Sequence, residues 1–524
     1  MTTRLAAVLL LAIGSLAGQS AFAQSELADA IQNGRIDAAI GMIEAGADVN
    51  ATQADGTSPL HWAVYRIDEA LVDRLLEAGA DPATANRFGA SPLIEAVKVA
   101  HVGLVERLLE AGADPEAPNP DGQTALMLAA RTGSVGVAER LIAHGADVNA
   151  RETWRGQTAL MWAVDGSHGE FARLLINNGA DVTARAYAND WGSQITSEPR
   201  AQYRPTGGLT VLNYAARAGC IDCIEAVVAA GESVDRPTPD GVTPLMLAID
   251  NLQFDAAAKL LDLGANPHYA DWWGRTALYI AVDMNSYLAR RDQEQSGDPD
   301  SGSDAPPATG VSCRDIIERL LAAGVEVNTQ LNMHRVGRGG NSQRFTDDLL
   351  TTGATPLLRA AIMHDHEVMQ LLLDHGALVD LPNVMGVTPL MAAASVGVRD
   401  SNFGTNRSPR FDIDPLIEDK VIGSFEILLA AGADINARVT DTSSRTARIA
   451  RPSQMTDREG QTALHRVASR GWARVVEYMI EHGAEVDVED ALGRTPLDGA
   501  LGRFASGSPV HQDVATILEA ASAR

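Results

Sequence analysis

Cys220-Ile221-Asp222-Cys223 is the one place in this chain where two thiols stand three residues apart. Residues three apart on a helix lie roughly 5 Å from one another, so a disulfide is within reach in an oxidising compartment. A reduced pair serving structure, or a metal or redox role, are the other readings of Cys220 and Cys223. A thioredoxin-like role would need a βαβ setting that the surrounding sequence lacks. The third cysteine, Cys313, is expected to stay unpaired. His364-Asp365-His366-Glu367 is rich in ligand atoms, yet no second cluster at zinc spacing accompanies it, and it reads as a polar turn. Gly337-Arg338-Gly339-Gly340 lacks the Lys-Ser/Thr of a phosphate loop and the strand-to-helix context of a dinucleotide site. There is no Gly-x-Ser-x-Gly elbow and no His-Glu-x-x-His. The expectation is no catalytic site, no metal and no cofactor, with an enzyme kept as a remote alternative.

The elements that would position such residues are short and repeated. In Asp240-Gly241-Val242-Thr243-Pro244-Leu245, Thr243 suits a helix N-cap and Pro244 the first helical turn, where its missing N–H is no loss. An apolar run through Ala256, Ala257, Leu260 and Leu261 reads as a second helix that Gly264 ends. The box Gly-x-Thr/Ser-Pro/Ala/Val-Leu recurs at Gly56, Gly89, Gly122, Gly156, Gly208, Gly241, Gly274, Gly353, Gly386, Gly460 and Gly493. Uninterrupted neighbours lie 33 or 34 residues apart, and Gly-Ala-Asp-Val-Asn-Ala at Gly46 and Gly145 has close variants elsewhere.

This period and box resemble the ankyrin repeat over nearly everything after residue 24. The resemblance implies an all-α solenoid of about twelve helix-turn-helix units, with β-turn or hairpin fingers at the junctions and five loop insertions. The expected organisation is a signal peptide over 1–23 and a single repeat domain over 24–524. Its N-terminal cap is 24–50 and its C-terminal cap 493–524, since terminal units have one solvent-facing side and are atypical. A solenoid is stabilised by neighbour stacking, so 524 residues need no second core.

A formal charge of -26 makes the chain acidic and duplex DNA a poor partner. The N-terminus carries Arg4, an apolar run from Leu5 to Leu16 and Ala21-Phe22-Ala23 before Gln24. That is the pattern of a secretory leader, too short for a membrane span, and it points to a periplasmic or secreted chain. A monomer with no membrane span after cleavage is expected.

The spacings place three inserts at unit junctions, at about 184–207, 329–352 and 437–459, and two between helices, at about 287–312 and 399–421. The junction inserts hold eleven arginines: Arg185, Arg200 and Arg204; Arg335, Arg338 and Arg344; Arg438, Arg445, Arg448, Arg451 and Arg458. Seven acids oppose them: Asp190, Glu198, Asp347, Asp348, Asp441, Asp457 and, at the edge of the last insert, Glu459. Ser296 to Thr309 reads as disordered, whereas Phe403 to Ile417 has enough apolar residues to dock on the body.

The sixth residue after the box glycine reads Trp62, Glu95, Leu128, Trp162, Tyr214, Leu247, Ile280, Arg359, Ala392, Arg466 and Gly499. Because an unpaired charge in a core is costly, this column is expected to face solvent at least in part. In the resembled family, inner helices and fingers form the partner-binding surface. The resemblance therefore implies Trp62, Glu95, Trp162, Tyr214, Arg359 and Arg466, joined by Trp191, Arg204, Arg335, Arg338, Arg448 and Arg451, as partner contacts. For each Trp, inter-repeat packing is the competing reading, and for each Arg a solvated charge. The function expected is a non-catalytic scaffold that binds a protein partner with an acidic surface, the arginines setting specificity. The alternative is an anionic glycan, lipid headgroup or polymer on the same arginines.

Overall fold

The computed structural model describes residues 25–189, 206–295, 310–332, 352–395, 416–440, 458–504 and 508–524. The chain divides into two compact units, Met1–Tyr187 with Leu209–Glu232, and Ala188–Gly208 with Ser233–Arg524. The described part of each holds six helix pairs.

The first unit contains α1 (Glu26–Gln32) with α2 (Ile36–Glu44), α3 (Pro59–Tyr65) with α4 (Glu69–Glu77), and α5 (Pro92–Lys98) with α6 (Val102–Glu110). It continues with α7 (Ala125–Thr132) and α8 (Val135–Ala143), α9 (Ala159–Asp165) and α10 (Gly169–Asn177), and α11 (Val211–Ala218) and α12 (Ile221–Ala229). Each inner helix starts where the sequence places a hydroxyl cap. The Ser58, Ser91, Thr124, Thr158 and Thr210 side chains each accept an N–H from the residue three positions on. Proline follows the cap in α3 and α5. The second helices bury one face through Leu71, Leu75, Leu104, Leu108, Leu141 and Phe171, against inner-helix residues such as Leu60, Leu93 and Leu126.

Successive loops of this unit are tied at their tips by single backbone bonds. The Arg87 N–H donates to the Asp55 carbonyl at 2.8 Å and the Tyr187 N–H to the Arg155 carbonyl at 2.7 Å. The approach is close enough to demand glycine in the box: a Cβ on Gly89, whose φ is +71°, would lie 2.0 Å from Pro120 Cδ.

The second unit contains β1 (Ala188–Asn189) and β2 (Thr206–Gly207), then α13 (Pro244–Asp250) with α14 (Phe254–Asp262), and α15 (Ala277–Gln295) with α16 (Cys313–Ala322). After these come α17 (Pro356–Ile362) and α18 (His366–Asp374), α19 (Pro389–Ala393) and α20 (Ile417–Ala430), α21 (Ala463–Arg470) and α22 (Ala473–Glu481), and α23 (Pro496–Ala500) and α24 (Gln512–Ser522). Thr243, Thr355 and Thr388 repeat the hydroxyl cap ahead of a proline. Ile316, Ile317, Leu320, Leu357, Leu372 and Phe425 supply fully buried core.

Two features differ from expectation. Among the described residues the junctions do not form hairpin fingers: the only sheet is β1 with β2, two residues each, antiparallel, beside the isolated bridges Arg185 with Thr210 and Ala270 with Thr276. Elsewhere the junctions are turns. Their donors and acceptors are consumed within the turn, as where Asn86 Oδ1 accepts the N–H groups of Phe88 and Ala90, leaving no run of free backbone to pair as strands. The second difference concerns the inserts between helices. α15 runs for 19 residues to Gln295, and α20 opens at Ile417, so helix occupies 287–295 and 417–421, which sequence spacing places in loops. The remainder of those inserts, including Ser296 to Thr309 and nearly all of Phe403 to Ile417, lies outside the described residues.

Candidate interaction face

The inner helices carry the sixth-position column, and its members meet different fates. In the first unit, Trp62 is half-buried, donates its indole N–H to Gln53 Oε1 at 2.9 Å and meets Tyr65 edge-on at 5.7 Å. Glu95 pairs with Lys98 at 2.9 Å, in side chains 22% and 44% exposed. Trp162 is half-buried, with the Arg131 guanidinium 5.8 Å from its ring centroid. Tyr214 is buried, accepts a hydrogen bond from Gln157 Nε2 at 2.9 Å and lies 4.9 Å under Arg217. Burial pushes the Tyr214 hydroxyl above its ordinary pKa, opposed by the positive charge of Arg217 and by the Gln157 hydrogen bond.

In the second unit, the column closes at every member but Leu247, which stays half-buried. Arg359 is 0% exposed and donates from Nε to Asp283 Oδ1 at 2.9 Å. Arg466 is buried, with Nε donating to the Ser395 carbonyl at 3.2 Å. Neither side chain faces solvent, contrary to the expectation for this column. The reasoning from an unpaired charge does not apply to Arg359, because it is paired. Asp283 is the residue that sequence reasoning missed. It stands nine positions after Gly274, three past the column residue Ile280, and meets Arg359 from the next inner helix. An acid at that ninth position preceding an arginine at the sixth position of the following unit is the signal that would have found it.

Trp191, Arg204, Arg335, Arg338, Arg448 and Arg451 lie outside the described residues. So does Gly337-Arg338-Gly339-Gly340.

Cys220 and Cys223 are joined in a disulfide, with Cys220 at the N-cap of α12 and its Sγ accepting the Cys223 N–H. Cys313 is free and buried, donates to the Ala281 carbonyl at 3.2 Å, and is pushed well above the usual thiol pKa by burial, then by the charges of Asp365 and Asp283. The His364-to-Glu367 stretch is spent on packing. His364 Nδ1 meets Ser424 Oγ at 3.0 Å, His366 Nε2 meets the Lys420 carbonyl at 2.9 Å, and Asp365 Oδ2 accepts from Asn285 at 2.7 Å. Among the described residues no three His, Cys, Asp or Glu side chains converge as a metal site. No described helix is long and apolar enough to cross a membrane.

Sequence reasoning also passed over exposed aromatic residues at the loop tips of the first unit: Phe88 is 74% exposed and Trp154 78%. Each sits one or two residues before a box glycine, and that position was the available signal.

Residues 27–119, 99–186, 194–271, 212–291, 308–401 and 423–518 match the family described as ankyrin repeats (3 copies). A stretch of 129 residues is 36% identical to the Neurogenic locus Notch protein of Drosophila melanogaster, covering 25% of this chain and 4% of that one. A stretch of 147 residues is 31% identical to the Ankyrin repeat and KH domain-containing protein mask of the same fly, covering 28% and 3%. The Putative ankyrin repeat protein YahD of Escherichia coli (strain K12) is 26% identical over 198 residues, which is 36% of this chain and 89% of that protein. The chain thus spans a few per cent of the two fly proteins.

Proposed function

The chain belongs to the ankyrin-repeat family, a non-catalytic class of protein–protein interaction module, and from that premise we propose that it holds a protein partner on the inner helices and junction loops. The observation that carries the reading is the inner-helix column of the first unit, where Trp62, Glu95 and Trp162 stay half-exposed at one repeated position while Leu128 and Tyr214 are buried. The junction inserts set specificity: eleven arginines against seven acids form a local positive excess on a chain of -26, which favours an acidic partner surface. The leader-like first 23 residues support export, with a mature chain starting at Gln24.

The test is crosslinking in intact cells with the full chain and with a chain lacking 190–205, 333–351 and 441–457. The expected outcome is a partner protein recovered by the first and lost by the second. Equal recovery would remove the inserts from the reading. Salt-sensitive retention on heparin that disappears with the deletions, in the absence of any crosslinked protein, would replace it with binding of an anionic polymer. The mass of the mature N-terminus checks the export step.

A further inference from the structure

One continuous patch of the first unit gathers arginines and aromatic rings. Its centre is the loop before α9. Trp154 is 78% exposed, Arg155 is exposed, and the Tyr187 ring lies on Gly156 so closely that a Cβ there would sit 2.6 Å from Tyr187 Cε1. Gln157 ties this loop to the Tyr214 hydroxyl, on which the charge of Arg155 also acts. From there the patch runs through α11 to Arg217, and on α9 and α7 it takes in Trp162 with Arg131 across its ring.

The carboxylates of this region are already engaged. Asp165 holds Arg217 at 2.6 Å. Glu152, 3% exposed, spends its oxygens on the backbone N–H groups of Trp154, Arg155 and Gln157. Arg131 and Arg155 have no carboxylate within ion-pair distance among the described residues. In addition, the buried Trp162 Nε1 donates to nothing. Among the described residues both guanidinium groups are therefore without a carboxylate partner, beside the exposed rings of Trp154 and Tyr187.

We propose that this patch binds an extended, carboxylate-bearing segment of a protein partner, its acidic side chains on Arg131 and Arg155 and its apolar side chains against Trp154 and Tyr187. The assignment rests on the interaction-module reading above and names the chemistry of the partner. A guanidinium fork matches a carboxylate in two parallel hydrogen bonds, and desolvation between rings strengthens them. Exposed aromatic side chains beside arginine are the composition of interface hot spots. A polyanion is disfavoured, because its many charges would meet the field of a chain of -26, whereas one or two carboxylates interact only within about a Debye length, ~8–10 Å.

The test uses the full chain and a fluorescein-labelled peptide of alternating glutamate and phenylalanine, read by fluorescence anisotropy. An otherwise identical peptide with glutamine for glutamate, and heparin as competitor, complete the set. The expected result is binding that falls at least about tenfold in R131E/R155E and with the glutamine peptide, and that weakens as salt rises from about 50 to about 500 mM. W154S should weaken both peptides alike, and R173E, on the second helix of the same unit, should change nothing. Equal binding of the glutamate peptide by the parent chain and R131E/R155E overturns the proposal, as does heparin binding without peptide binding. If R131E/R155E still crosslinks the cellular partner, this assignment falls while the reading it rests on stands.

Discussion

The same column of inner-helix residues is mostly open in the first unit, where only Leu128 and Tyr214 are buried, and mostly shut in the second, where only Leu247 is half-buried. Trp62, Glu95 and Trp162 remain half-exposed, whereas Ile280, Arg359 and Arg466 are 1%, 0% and 7% exposed. The two units also differ at the ninth position after the box glycine. In the first unit it holds Tyr65, Lys98, Arg131, Asp165 and Arg217, all reaching solvent. In the second, Asp283, Ile362 and Ser395 are buried there, while Asp250, Ser469 and Gly502 are half-buried. α15 also continues past the usual end of an inner helix and buries Met284 and Ser286 in its extension. One repeat sequence thus makes either a surface or a core from its sixth position, depending on what the neighbouring inner helix sets against it, as Asp283 is set against Arg359.

The strongest way to break this contrast is to remove the acid that allows the second unit to close on a charge. Asp283→Ala leaves the Arg359 guanidinium buried and unpaired, and should cost about 3–5 kcal/mol in urea unfolding. The double change to Asp283→Leu and Arg359→Met should recover most of it; equal losses would show that the pair does not govern closure. A pH titration should give the next largest effect. Burial lowers His465 from its ordinary 6.5 to about 4, so the fold holds it neutral. The unfolded chain takes up the proton first as pH falls, and stability present above about 6.5 is lost on the way down to about 4, on the order of 3 kcal/mol in full. His465→Gln should flatten that segment of the profile. His61, also lowered by burial, places a smaller loss of the same sign in the first unit.

The caps sharpen the comparison by being alike. Thr158→Ala in the first unit and Thr355→Ala in the second should each cost about 1 kcal/mol, because both hydroxyls accept the same N–H three residues on. The smallest effect belongs to Tyr65→Ser, expected within about 0.5 kcal/mol since the ring is 62% exposed. A loss comparable to Asp283→Ala would mean that the Tyr65 ring, edge-on to Trp62, carries structure.

Much of the fold was legible in the chain. The Thr-Pro pairs marked helix starts at Thr243, Thr355 and Thr388, and the spacing of box glycines marked where regular stacking is interrupted. The hairpin form of the junctions was not, because a turn that satisfies its backbone through an Asn side chain, as at Asn86, looks the same in sequence as one that pairs strands. The candidate face was legible only in half. Trp62 and Trp162 stand on it, Arg359 does not, and no property of the arginine itself distinguishes the two cases.

What the sequence alone determined is local: cap hydroxyls, glycines that must take positive φ and the apolar period of each short helix are decided within a few residues. Which members of a repeated column meet solvent was left to the tertiary structure. Exposure there depends on a residue 76 positions away for Arg359 and Asp283, and a period of 33 or 34 residues carries no record of such a partner.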